Sequence, residues 1–243
     1  MKGKKGTTFN CFSPPIMLAT IFVEVFLIIY SLYRYKFNPI VRIIVILLSL
    51  LALFQVAEYF VCTGASSYSI IFSKMGFIAI TFLPILGIHL MHLLADKPIG
   101  KLVKIAYMTA GLFALYFIFY SEAFTGHKCT GNYVIFQFKE MTGFFYSIYY
   151  FFWLAVGNTL GIIWANDQTL VNSESKKKVQ SIKALIVGYY VFLFPTIIVL
   201  MINPDSRRGV PSILCGFAIA LALILALYIL PRNSTKKRKK SVA

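Results

Sequence analysis

Val41 to Val61 reads VRIIVILLSLLALFQVAEYFV, with an arginine at its start, a glutamate near its end and an almost unbroken apolar run between them. A helix rises about 1.5 Å per residue, so about twenty such residues cross a hydrocarbon core roughly 30 Å thick. Apolar and polar residues do not alternate here, which excludes a membrane β-barrel. The stretch is predicted to be a membrane-spanning helix.

Six more runs of this kind follow from the same reading, at Pro15 to Tyr33, Met75 to Leu94, Leu102 to Tyr120, Gly143 to Trp164, Ala184 to Ile202 and Ser212 to Leu230. Of the 243 residues, 59% are hydrophobic and 13% charged, a balance that water-soluble domains of this size do not have. The expected fold is all-α: a polytopic bundle of seven transmembrane helices, one domain over residues 1–231 with a basic tail over 232–243. The first run has no cleavage-site pattern and is longer than a signal-peptide core, so it is expected to remain as a span. The expected partner along the whole chain is a lipid bilayer, a bacterial inner membrane or another plasma membrane.

The net charge is +16, but the basic residues lie in short clusters between apolar runs and not on one face of a folded domain. No nucleic-acid partner is expected from that arrangement. It is a topology signal instead. Arg34, Lys36, Arg42, Lys97, Lys101, Lys104, Lys176 to Lys178, Lys183, Arg232 and the run Lys236 to Lys240 fall on one side, sixteen in all. Eight fall on the other: Lys2, Lys4, Lys5, Lys74, Lys128, Lys139, Arg207 and Arg208. The excess places the first set in the cytoplasm, the N-terminus outside and the tail inside. The three N-terminal lysines pull the other way. The tail reads as a stop-transfer cluster or as a contact for anionic lipid.

This topology gathers all four cysteines on the exterior side, where disulfides persist. The expected pairs are Cys11 with Cys215, because first and last helices of a seven-helix ring are neighbours, and Cys62 with Cys129, because the longest exterior loop can reach over span two. A reduced, packing Cys215 is the alternative.

Ionisable groups in hydrocarbon cost several kcal/mol unless they meet a partner or a cavity, so each is a candidate site. Glu24 lies near the middle of span one. Gln55 and Glu58 share a face late in span two, with Tyr59 beside them. Together they would form a polar patch between spans one, two and seven. His89 and His92, near the inner end of span three, are weak metal candidates, since they lack the i,i+4 pairing and general-base glutamate of a zinc protease. Asn158 with Thr159 could bond across helices, Pro84 and Pro195 interrupt spans three and six, and Gly76, Gly87, Gly157 and Gly161 suit close helix packing. No nucleotide-binding, serine-hydrolase or metalloprotease motif is present, and no cofactor is implied.

Cys11-Phe12-Ser13-Pro14, Gln55-Val56-Ala57-Glu58, the proline-bearing span three and Cys215-Gly216-Phe217-Ala218 resemble a family of bacterial seven-helix membrane proteins. The resemblance implies the same helix count over most of the chain and singles out Cys11, Gln55, Glu58 and Cys215. It implies no activity. Three functions compete on these residues. The first is a receptor-like module that binds a small ligand or partner near Gln55 and Glu58. The second is an accessory subunit packed by its aromatic residues against a protein partner in a larger membrane complex. The third is a small transporter or intramembrane enzyme using Glu24, Glu58 or the histidine pair.

Overall fold

In the computed structural model, which describes residues 14–63, 68–129, 134–166, 175–202 and 209–236, each of the seven apolar runs is helical. They form α1 (Pro14–Arg34), α2 (Pro39–Thr63), α3 (Ser69–Thr81) continued by α4 (Leu83–Leu94), α5 (Lys101–Phe119), α6 (Glu140–Ala165), α7 (Ser175–Ile202) and α8 (Val210–Leu223). The last run goes on from α8 through a π-helical turn, Ile224–Ile229, into the short α9 (Leu230–Asn233). Among the described residues, seven helical stretches are thus long and apolar enough to cross a membrane. Their outward faces carry large apolar side chains such as Phe22, Phe26, Leu112, Phe152 and Phe194, as a multi-pass membrane protein requires.

Local chemistry sets the helix ends. Asn38 caps α2 by accepting the Val41 N–H on its Oδ1 at 2.8 Å, and Pro39 takes the first helical position, where a missing N–H costs nothing. Pro84 cannot donate within a continuous helix, so the third span turns at Phe82 and restarts with the proline in the first turn of α4. At the end of α4, Asp96 adopts a left-handed φ of 50°. Lys97 N–H then reaches back to His92 O at 3.0 Å and Asp96 N–H to Leu93 O at 3.4 Å, which satisfies the last carbonyls of the helix. α7 begins at Ser175, nine residues before the expected Ala184, because its lysine-rich first turns stay helical outside the apolar run.

The spans pack in sequence and close on themselves: α1 lies on α2, α2 on α3 and α4, α3 on α5, α4 on α6, α6 on α7, and α7 on α8. α8 returns to α1 and α2, so first and last spans are neighbours as expected. The third span is the most enclosed. α3 crosses α2 closely at Gly76, where a Cβ would stand 3.1 Å from Ala57 Cβ. At Gly87 a Cβ would fall on the Tyr189 hydroxyl. Small residues therefore set these helix spacings.

The two ends of the bundle are built differently. Between α5 and α6, the segment read as a plain loop is an antiparallel hairpin, β1 (Phe124–Cys129) and β2 (Val134–Phe138). Val134, Phe136 and Phe138 alternate with Ile135 and Gln137, and the hairpin buries its aromatic face on the bundle. Phe77 is the hub, with ring centroids of Phe124, Phe136 and Phe138 at 5.0, 5.0 and 4.8 Å. Such aromatic pairs contribute about 0.5–1.5 kcal/mol each beyond area burial. The opposite end is held by polar groups. Lys36 N–H donates to Thr235 O at 2.9 Å, Asn38 Nδ2 to Ser234 Oγ at 3.2 Å, and Asn233 Nδ2 to Ser181 Oγ at 2.7 Å. Lys178 pairs with Asp96.

Candidate functional site

The buried face of α1 is a narrow stripe, Met17, Glu24, Leu27 and Ser31, spaced as one side of a helix. Glu24 occupies a position in that stripe where an aliphatic side chain would ordinarily sit. On α2 the stripe Leu47, Leu51, Phe54 and Gln55 continues to Glu58 and Val61. α8 presents Ser212, Cys215 and Ala218 to the same junction. Glu24 and Glu58 have no exposed surface, and Gln55 is 1% exposed.

These groups lie together. Glu24 on α1, Glu58 on α2 and Cys215 on α8 lie within electrostatic reach of one another where the three helices pack. Among the described residues, no hydrogen-bond partner reaches Oε1 or Oε2 of either glutamate, and the Gln55 Nε2 has none. The Ser212 hydroxyl approaches Glu58 without meeting hydrogen-bond geometry, while its Oγ accepts the Val134 N–H at 3.0 Å. An unpaired buried carboxylate costs several kcal/mol, so this cluster is built to receive a positive charge, a proton or a hydrogen-bond donor.

The hairpin roofs the cluster. Cys62, one helical turn beyond Glu58, forms a disulfide with Cys129 of β1, and the Cα atoms are 5.8 Å apart. The Val134 contact ties β2 to α8 at Ser212. Of the two expected disulfides, the Cys62–Cys129 pair is present. For the expected Cys11–Cys215 pair, Cys215 is a free thiol among the described residues, 3% exposed and turned into the core. Cys11 lies outside the described residues.

The other expected sites fare differently. Tyr59, turned about 100° from Glu58 around the helix, is half-buried and packs edge-on to Phe60 at 5.7 Å. It stands beside the patch in sequence but not in the cluster. His89 Nδ1 pairs with the Tyr107 hydroxyl at 2.9 Å, and His92 Nδ1 donates to Ile88 O at 2.9 Å with its ring edge-on to Trp164. Among the described residues no three histidine, cysteine or acidic side chains come together to hold a metal. Asn158 does not bond across helices through its carboxamide oxygen, which has no partner. Ser212 and the hairpin were missed. Only the short alternation Val134-Ile135-Phe136-Gln137-Phe138 signalled the strand.

No family model, curated protein or solved structure matches the chain, so the resemblance drawn from its short motifs is carried no further.

Proposed function

We propose that the protein is a membrane-embedded binding module for a small, positively charged ligand, with Glu24, Glu58 and Gln55 as its site, the hairpin end facing outward and the basic tail in the cytoplasm. One observation carries this reading: two carboxyls on neighbouring helices are wholly enclosed in an apolar bundle, and among the described residues neither has a partner. Keeping them there is costly, and a bound cation turns that cost into affinity. The orientation is supported by the sixteen basic residues of the tail side against eight on the other. The tail-end contacts supply a route for a signal. α1 and α2, which carry the two glutamates, join at a turn whose Lys36 and Asn38 bind Thr235 and Ser234, so a shift of α1 against α2 is felt where the tail begins.

The reading is tested with purified protein in nanodiscs, melted in sodium, potassium and methylammonium chloride at equal ionic strength. A ligand at one hundred times its Kd stabilises the folded state by about 2.7 kcal/mol. At least one cation is expected to raise the melting temperature of the native protein, and Glu58→Gln and Glu24→Gln, which keep volume and remove charge, are expected to abolish the rise. An equal rise in both variants overturns the site. For orientation, alkaline phosphatase fused after Ala243 is expected to be inactive, and an active fusion reverses the topology.

A further inference from the structure

A cleft of about 490 Å³ opens at the hairpin end between β2, α6, α7 and α8. This volume lies in the range of sites for small organic ligands, about 300–1,000 Å³. Aromatic rings form much of its wall: Phe77, Phe138, Tyr146, Tyr150 and Phe151. At its mouth are Lys139 and Glu140. The Lys139 ammonium is engaged by Glu122 and by the Tyr120 hydroxyl, which leaves Glu140 as the charged lining residue without an ion-pair partner among the described residues.

The inner wall of this cleft includes Tyr150 and Leu214. The same two side chains bound a second void of about 30 Å³, room for about one water, whose lining includes Cys215. Cys215 is in turn the α8 member of the cluster with Glu24 and Glu58. Tyr150 with Leu214 thus borders both cleft and void, and Cys215 borders the void and lies within electrostatic reach of the carboxyl pair. Tyr150 and Leu214 are the two side chains that the open cleft and the void share. Rotations of these two side chains do not require a helix to move.

Resting on the reading of Glu24 and Glu58 as a cation site, we propose that this cleft is its entrance and that the ligand is a small organic ammonium ion admitted past Tyr150 and Leu214. The chemistry of the route selects that class. Aromatic faces attract an ammonium group and also accept its hydrocarbon part, whereas a bare metal ion would lose its water there without compensation. The carboxyl pair then meets the positive head. An anion is repelled at the carboxyl pair, and a neutral molecule finds no counter-charge.

The test uses full-length protein in nanodiscs, with benzylammonium as probe and benzyl alcohol, benzoate and sodium as controls. Gly143→Leu fills the cleft, and a Cβ at Gly143 meets only Phe138, at 3.8 Å, so the backbone need not shift. Ser147→Trp, also on the lining, is the second variant. Benzylammonium is expected to bind at least tenfold more tightly than benzyl alcohol, with no binding of benzoate, and each cleft variant is expected to slow its association at least tenfold while Glu58→Gln abolishes binding. Association at the native rate in both cleft variants overturns the entrance. Sodium binding that needs Glu58, with no binding of benzylammonium, overturns the ligand class and leaves the cation site standing. Benzylammonium binding that survives Glu58→Gln overturns the site itself. Mass spectrometry that finds a phospholipid in the cleft, expelled by Gly143→Leu but not by benzylammonium, also overturns the proposal.

Discussion

Gln55 and Glu58 in the hairpin half of the bundle have the same i,i+3 spacing as His89 and His92 in the tail half, and both pairs sit in apolar helices. Their surroundings differ completely. Each imidazole has a hydrogen-bond partner at 2.9 Å and an aromatic ring against its edge. Both glutamates and the Gln55 amide nitrogen have none among the described residues. Spacing on one helix says which residues share a face. Whether a polar residue is architecture or a waiting site is decided by what the other helices bring to it.

The comparison is sharpened most strongly through the hairpin roof. The Cys62–Cys129 bond closes a separation of 67 residues, for which chain entropy gives about 4 kcal/mol at most. Spans threaded through lipid already restrain the unfolded chain, so reduction or Cys129→Ser is expected to cost about 2–4 kcal/mol. Melting followed with and without reductant measures it. In a Trp153→Phe background, the remaining Trp164, which packs on His92, reports the tail half alone. Its emission is expected to stay unchanged below the melt, and a shift on reduction would show that the halves are not separate.

The next prediction concerns sign. Removing an unpartnered buried carboxyl relieves a cost, and apolar replacements of buried ionic groups often stabilise by about 1–4 kcal/mol. Glu58→Leu and Glu24→Leu are therefore expected to raise stability by about 2 kcal/mol each in ligand-free protein, read as a higher melting temperature. A loss of similar size in both would mean that the glutamates are structural, and the contrast between the halves would fail.

Much of the fold was legible because each span is a continuous apolar run and needs no neighbour to be recognised. Where polar residues extend a helix, as the lysines do at the start of α7, hydropathy stops short of the helix. The Cys62–Cys129 bond was legible because both residues fall at one membrane face. The free Cys215 was legible only as the alternative to a pair with Cys11, because a residue one turn inside a helix points wherever the helix rotation sends it, and here that is the core. Glu24 and Glu58 could each be picked out as charges in apolar runs, and the closure of α8 on α1 and α2 was expected. The missing bonds around them could not be foreseen, since they depend on side chains from three helices. The hairpin escaped because five alternating residues in a loop are a weak signal beside twenty apolar ones.

A smaller effect tests the tail half. Replacing one partner of a hydrogen bond there leaves the other unsatisfied, at a typical cost of about 1 kcal/mol. His89→Phe, which orphans the Tyr107 hydroxyl, is expected to lower stability by that amount, and His89→Phe combined with Tyr107→Phe to recover most of it. The sign is opposite to that of the glutamate replacements. A rise in melting temperature for His89→Phe alone would place the histidines with the glutamates and dissolve the distinction.

The smallest expected effect lies at the rim of the hairpin, in water. The Lys139 ammonium hydrogen-bonded to Glu122 holds that carboxyl below its ordinary value of 4.5, and Glu122 with Tyr120 holds the Lys139 ammonium above its own. A depressed carboxyl pKa contributes stability that is complete above 4.5 and is lost as pH falls through the folded-state value. The pair is exposed, so salt screens it and the gain is slight. Between pH 6 and pH 3 the native protein is expected to lose slightly more melting temperature than Glu122→Gln, and the difference is expected to vanish in about 1 M salt. A difference that persists in high salt would mean that the rim pair is shielded from solvent. The cleft mouth beside it would then be closed, and the contrast between an open hairpin half and a sealed tail half would have to be redrawn.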